Sequence, residues 1–278
     1  MTEIYDFLNK HGFHPQDMIL DGKVHRFNYQ SKKDGWYIGH KNHSEKTGEE
    51  FHVVEFGSWK TSEKYQYKTV RKYTASEKKT FERQIKKSQI EQKQLKKECN
   101  LESSTEAATL WDQYGSDNTR SRYLINKQIP QLYGCKTIMT RSGRGVLVPC
   151  KDIEGKLWGV QTIFPDGTKM FMPGQRVEGC FYVINNSSDD FSFSDVDVIY
   201  LCEGFSTGAS IYQSINSPVV CCFNAGNLIH VARAIKNKFG HLSIVICGDN
   251  DEIGIEKAEK AASEVLGSVV FPRFKNDK

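Results

Sequence analysis

No stretch of the 278-residue chain approaches twenty consecutive apolar residues, so no bilayer-spanning helix is predicted. The N-terminus, MTEIYDFLNKHGFH, lacks the basic-then-apolar order of a secretory signal, and export is not expected. There is no C-x-x-C pair, which disfavours a cysteine zinc site. The eight cysteines are spread singly, apart from adjacent Cys221 and Cys222. Most lie in apolar runs such as YLCEG and VVCCF, where a thiol packs as a small hydrophobe. A reducing cytoplasm suits that usage. No G-x-x-x-x-G-K-[ST] occurs, so the chain is not itself an ATP-driven motor. There is no internal repeat, and no low-complexity tract beyond one Lys/Gln-rich segment.

What is present is enough for a core: 38% of the residues are hydrophobic. The charge is uneven. Residues 1–150 carry 26 Lys and Arg against 18 Asp and Glu, or +8; residues 151–278 carry 12 against 16, or −4. A basic front half suits a polyanion, and clustered carboxylates in the rear half suit metal ions.

The spacing predicts four segments: 1–73, 74–117, 118–194 and 195–278. The first holds a short helix near 2–11, then aromatic and β-branched runs broken by Gly, Asp and Asn, the pattern of a small sheet. Thr74 and Glu77 form a T-x-x-E capping box, which predicts a basic, solvated linker helix to about residue 98. A second helix is expected near 103–114. After a short helix at SRYLINKQI, the run GRGVLVPCKDIEGKLWGVQTIFPDGTKMFM reads as a meander turning at EG and DG. Beyond Asp195, strands at 198–202, 219–223, 243–247 and 268–271 alternate with helices near 206–214, 226–238 and 252–265. Near-continuous apolar strands between helices imply a parallel sheet covered on both faces, an α/β fold.

In such a sheet, ligands bind beyond the carboxyl ends of the strands. One strand ends in CEGFSTG, where Glu203 precedes Gly204 and where Ser206 or Thr207 can cap the next helix. The next ends in FNAGN, a small-residue turn through Ala225 and Gly226. The third ends in GDNDEIG, with Asp249 and Asp251 two apart. If these strands are neighbours, Glu203, Asp249 and Asp251 converge on one edge. Carboxylates at close range repel, and a shared proton or a divalent cation relieves them. Mg²⁺ takes a few carboxylates plus water and phosphate oxygens. The plainer reading of DNDEIG is a turn and helix start, because Asp and Asn cap helices well.

The pair CEGFSTGAS and ICGDNDEIGIEKA resembles the Toprim domain of primases, type IA and II topoisomerases and some nucleases. Upstream, RYLINKQI, the hairpin run above and VEGCFYVI resemble the segment that precedes Toprim in primase catalytic cores. FNAGNL and the leader DGKVHRF, DGWYIGH and FGSWKT resemble plasmid and phage versions in particular. The resemblance implies a Toprim-like parallel sheet flanked by helices, preceded by a mixed α+β primase-core subdomain and a small N-terminal α+β domain. It implies a DNA primase, which makes RNA primers on single-stranded DNA from NTPs by two-metal nucleotidyl transfer, with a replicative helicase as a possible partner. Carried over by motif, Glu203 is a general acid/base or metal-side carboxylate, while Asp249 and Asp251 bind Mg²⁺ or Mn²⁺. Gly204, Gly208, Gly226, Gly248 and Gly254 are the motif glycines. The family's further acidic motif, resembling D-x-N-D, is not met. Asp277 is its candidate remnant, and the resemblance implies that the motif lies beyond Lys278, leaving the metal site incomplete. The cysteine/histidine zinc module of many primases is not met either, since the first cysteine is Cys99.

Template binding needs cations and often aromatic stacking. The candidates are Lys169, which the resemblance aligns with a nucleotide-facing or template-facing stretch, together with Arg141, Arg144 and Arg176. Trp36, Tyr37, Phe56 and Trp59 either stack bases or form the core of the first segment. Two other functions stay open: a Toprim metal-dependent nuclease, and a catalytically incomplete DNA-binding module.

Overall fold

Helix α1 (Thr2–Lys10) places Ile4 and Leu8 four residues apart, so both fall on one face, and both are buried. A computed structural model describes residues 2–29, 32–44, 47–58, 63–69, 75–114, 121–185 and 191–273. By its internal contacts the chain divides into two units, 1–96 and 97–278. In the first, β1 (Asp21–Tyr29), β2 (Lys32–His43), β3 (Glu50–Ser58) and β4 (Lys64–Lys68) form an antiparallel meander in chain order. Phe13, Tyr37, Val54, Phe56 and Tyr67 join Ile4 and Leu8 in its core. Tyr37 and Phe56 are therefore packing residues and offer no open face to a base. The Tyr37 hydroxyl also accepts the Ile19 N–H at 3.0 Å. Trp36 is half-buried, and Trp59 lies outside the described residues.

The two helices expected within 74–117 are one, α2 (Ala75–Gln113). No Gly or Pro occurs between its ends, so nothing in the backbone stops it at residue 98. Thr74 of the expected capping box lies outside the described residues. The last turns of α2 are held by side chains. Ser103 donates to the Pro173 carbonyl at 2.8 Å, Ser104 to that of Leu157 at 2.6 Å, and Lys136 donates back to that of Trp111 at 2.6 Å.

After α3 (Arg122–Asn126) come β5 (Lys136–Thr140), β6 (Gly143–Lys151), β7 (Leu157–Ile163) and β8 (Lys169–Phe171), a second antiparallel meander. The EG and DG turns fall where expected. Gly155 and Gly167 sit at φ +79° and +90°, a region open mainly to glycine.

The third sheet has the order β13-β12-β10-β11-β9. Its members are β9 (Tyr182–Ile184), β10 (Val198–Cys202), β11 (Val219–Cys221), β12 (Ser243–Cys247) and β13 (Ser268–Val270), all parallel except β9. Alternation sorts its side chains. Cys202, Val219 and Cys221 pack with α4 (Phe205–Ile215). Ile199, Leu201, Val220, Ile244 and Ile246 pack with α5 (Leu228–Lys238) and α6 (Glu252–Val265). Among the described residues no helix is long and apolar enough to cross a membrane.

One buried amide ties this sheet to the segment before β9. Asn227 accepts the Gly179 N–H at 2.8 Å and donates to the carbonyls of Cys180 and Cys222 at 2.8 and 2.9 Å. Replacing it with alanine strands one buried donor and two acceptors. Asn227→Ala is expected to lose about 3 kcal/mol of stability, measured by urea unfolding of the second unit's tertiary signal.

Candidate active site

The register of the parallel sheet decides which loops meet. Cys202 pairs with Cys247, so β10 and β12 end level, and Glu203 and Gly248 are the next residues. Neighbouring strands run about 5 Å apart. Glu203 and Asp249 therefore leave the sheet side by side. Asp251, two residues on, is the N-cap of α6, and its Oδ1 accepts the Gly254 N–H at 2.7 Å. The helix-start reading of DNDEIG is thus right for Asp251, whose charge also reaches Glu203.

The Glu203 carboxyl is pushed up from 4.5 to about 7, first by burial, then by the negative charges of Asp249 and Asp251. The Ala225 N–H and the Lys169 ammonium pull it the other way. Three of the expected acids and one expected cation therefore share one electrostatic neighbourhood, drawn from the ends of β10 and β12 and the start of β8. The FNAGN turn adds a backbone donor that side-chain motifs do not reveal.

The glycines act through space more than through turn geometry. Gly204 is the N-cap of α4 at φ −118°, a conformation open to any residue, so its backbone does not require glycine. A Cβ there would stand 3.0 Å from the Lys169 Nζ. Neither Ser206 nor Thr207 caps α4, since both fall inside its first turn. At Gly254 a Cβ would come within 2.5 Å of the Asp249 carbonyl, and at Gly248 within 2.7 Å of both Ala258 and Phe271. At Gly208 it would meet the Cys221 Sγ at 2.5 Å. Gly226 is under no such pressure, its nearest neighbour being the Asn224 Oδ1 at 3.4 Å.

The other basic candidates lie apart. Arg141 is exposed in the β5–β6 turn. Arg144 reaches Thr137 at 3.4 Å. Arg176 is engaged in the framework: it donates to the Glu178 carbonyl at 2.9 Å, pairs with Asp152 at 3.6 Å and lies over the Trp158 ring. Beside Asp249 and Thr207, a mainly apolar cavity of about 360 Å³ opens between α4 and the strands, with Ile211 and Val245 in its walls.

Among the described residues no three His, Cys, Asp or Glu side chains are disposed to hold a metal ion together. Asp251 accounts for part of this, because one of its oxygens is committed to the α6 cap. The remaining donor set still suits a small hard cation. Mg²⁺ needs one or two carboxylates, with water or phosphate oxygens completing its shell. Glu203 and Asp249 supply such a pair, and the repulsion between them is the charge a cation would neutralise.

Residues 198–277, from β10 onward, match the Toprim domain, the α/β module that the sheet order and the acidic loop ends describe. Over nearly the whole chain, the sequence is 28% identical to a DNA primase TraC of Escherichia coli across 289 residues, which is 96% of this chain and 18% of that protein. A second TraC from the same organism is 33% identical over 161 residues, 55% of this chain and 15% of the relative. The chain thus spans less than a fifth of the length of these curated relatives. Among solved structures it is similar to the primase fragment of the bacteriophage T7 primase-helicase protein, at 16% identity and a TM-score of 0.43 over 56% of this chain and 65% of that one. It is also similar to the zinc-binding and RNA polymerase domains of the Aquifex aeolicus primase, at 11% identity and a TM-score of 0.43 over 91% and 75%.

A glutamate whose acid form is favoured by folding stabilises the protein below 4.5 and loses that contribution as pH rises through about 7. In metal-free buffer, Glu203→Gln should therefore melt above the parent protein at pH 8, with the difference vanishing near pH 4.5. Paired thermal melts across that range check it.

Proposed function

We propose that this chain is the catalytic part of a DNA primase, joining ribonucleotides on a single-stranded DNA template. The observation that carries the reading is the meeting of Glu203, Asp249, Asp251 and Lys169 at the carboxyl edge of a sheet that matches the Toprim domain. Identity to TraC over 96% of the chain supports it, because the likeness includes the hairpins that bear Lys169.

In this reading Glu203 and Asp249 would hold Mg²⁺ or Mn²⁺, and Asp251 would reach the ion only through the oxygen that does not cap α6. When bound, the ion supplies Lewis acidity at the α-phosphorus and neutralises charge on the attacking and leaving oxygens. Glu203 would accept the proton of the primer's 3′-hydroxyl. Lys169, against the open start of α4, pairs with phosphate oxygens of the NTP. Arg141 and Arg144 neutralise template phosphates, whereas Arg176 holds the β6–β7 turn through Asp152. A replicative helicase is the expected partner in plasmid or phage replication, in the cytoplasm.

Incubated with single-stranded DNA, NTPs and Mg²⁺ or Mn²⁺, the chain should yield short RNA products. Asp249→Asn should reduce their yield by about 100-fold or more while leaving the fold intact. DNA fragments without NTPs would indicate a nuclease. Salt-sensitive DNA binding with no products and no metal requirement would indicate the binding module.

A further inference from the structure

The turn after β11 holds a backbone conformation that its residue does not favour. The apolar run VVCCF extends to residue 223, yet β11 ends at Cys221. Two residues on, Phe223 has φ +71°. There a side chain crowds its own backbone, so glycine and asparagine are the usual occupants and a bulky ring is an outlier. Such strain persists only where the surroundings over-determine it, and it gathers at functional sites.

The chain is clamped on both sides of Phe223. The Cys222 N–H donates to the Cys202 carbonyl at 2.8 Å, and the Cys222 carbonyl accepts the Asn227 Nδ2 at 2.9 Å. Beyond it, the Asn224 side chain accepts the Asn227 N–H at 3.0 Å and caps the 3₁₀ turn Ala225–Asn227. The left-handed step at Phe223 carries the chain from the strand into that turn, whose Ala225 N–H reaches Glu203. None of this needs a ring, because glycine makes the same step without steric conflict. The ring has a different contact. It is 7% exposed and meets the Phe171 ring edge to face, with centroids 5.8 Å apart at 82°. Phe171 is two residues from Lys169 in β8, so both side chains leave the same face of that strand. The Lys169 Nζ in turn stands 3.0 Å from the place of a Cβ on Gly204, next to Glu203.

We propose that Phe223 is a positioning residue of the active site. Its ring, seated against Phe171, holds β8 so that Lys169 faces Glu203, while its backbone aims the Ala225 N–H at the same carboxylate. A left-handed phenylalanine is kept because one residue thereby ties the cation of one sheet to the acids of the other. Phe223 acts through these groups and touches neither metal nor nucleotide. Only the kinetic consequence rests on the proposed function, in which Lys169 meets the NTP phosphates.

The test labels the lysines of the full chain by reductive ¹³C-methylation, which keeps their charge, and identifies the Lys169 signal with Lys169→Arg. At pH 8.5 without metal, Glu203→Gln should shift that signal in the parent protein. The shift should be lost in Phe223→Gly, which relieves the backbone but removes the ring, and equally in Phe171→Leu, which leaves the backbone at 223 untouched and serves if the first variant does not fold. In primer synthesis, Phe223→Gly should raise KM for NTPs about 10-fold with kcat changed less than about twofold, and should add nothing to the KM of Lys169→Ala. A Lys169 signal that ignores Glu203→Gln in the parent, or that responds as strongly in both phenylalanine variants, overturns the proposal, as does a KM effect that persists in full on the Lys169→Ala background. If the signal behaves as expected and no primers form in any protein, the positioning role stands and the proposed function falls.

Discussion

Two parallel strands that end level, Cys202 opposite Cys247, impose the constraint on which the rest of the molecule depends. The register leaves Glu203 and Asp249 in one field, with Asp251 close behind. Two unit charges about 5 Å apart in a medium of effective permittivity near 20 repel by about 3 kcal/mol. A fold does not tolerate that idly. Here the repulsion is answered in part by a proton on Glu203, in part by Lys169 and in part by the Ala225 N–H. The site therefore gathers negative charge that a divalent cation would neutralise.

The surroundings hold that charge in place by close packing. Gly254 lets α6 begin directly against the Asp249 carbonyl, and Gly248 lets β12 pass within contact of Ala258 and Phe271. Gly204 leaves room for the Lys169 ammonium. Asn227 fixes the turn that supplies the Ala225 amide by bonding it to residues 179 and 180. Each contact is local, yet all bear on the same region beyond the strand ends.

The parallel sheet was legible because its strands are continuous apolar runs between helices, and all four fall within a residue or two of their expected limits. The acids were legible from strand ends alone, as the topology rule for such sheets requires. The role of the glycines was less so. A letter G suggests turning, whereas Gly204, Gly208, Gly248 and Gly254 are needed for room, which depends on neighbours distant in sequence. Asn227 sat unnoticed inside FNAGN, because two of its partners, Gly179 and Cys180, lie 48 and 47 residues away in the sequence. The break expected in α2 near residue 98 came from a change in composition, and composition without Gly or Pro does not stop a helix. Arg176, a candidate template contact, also lies over Trp158 and beside Asp152, partners that the sequence around it does not announce.

The position of β9 has a consequence for how the molecule is made. β9 is synthesised at residues 182–184, but its sheet partner β11 follows only at 219–221. The hairpins that carry Lys169 can form early from neighbouring residues. Glu203 emerges next, and its repelling partner Asp249 only 46 residues later. On a growing chain the cluster thus comes into being only with β12, and α6 and β13, which close around Gly248 and Asp249, must still follow before it is held.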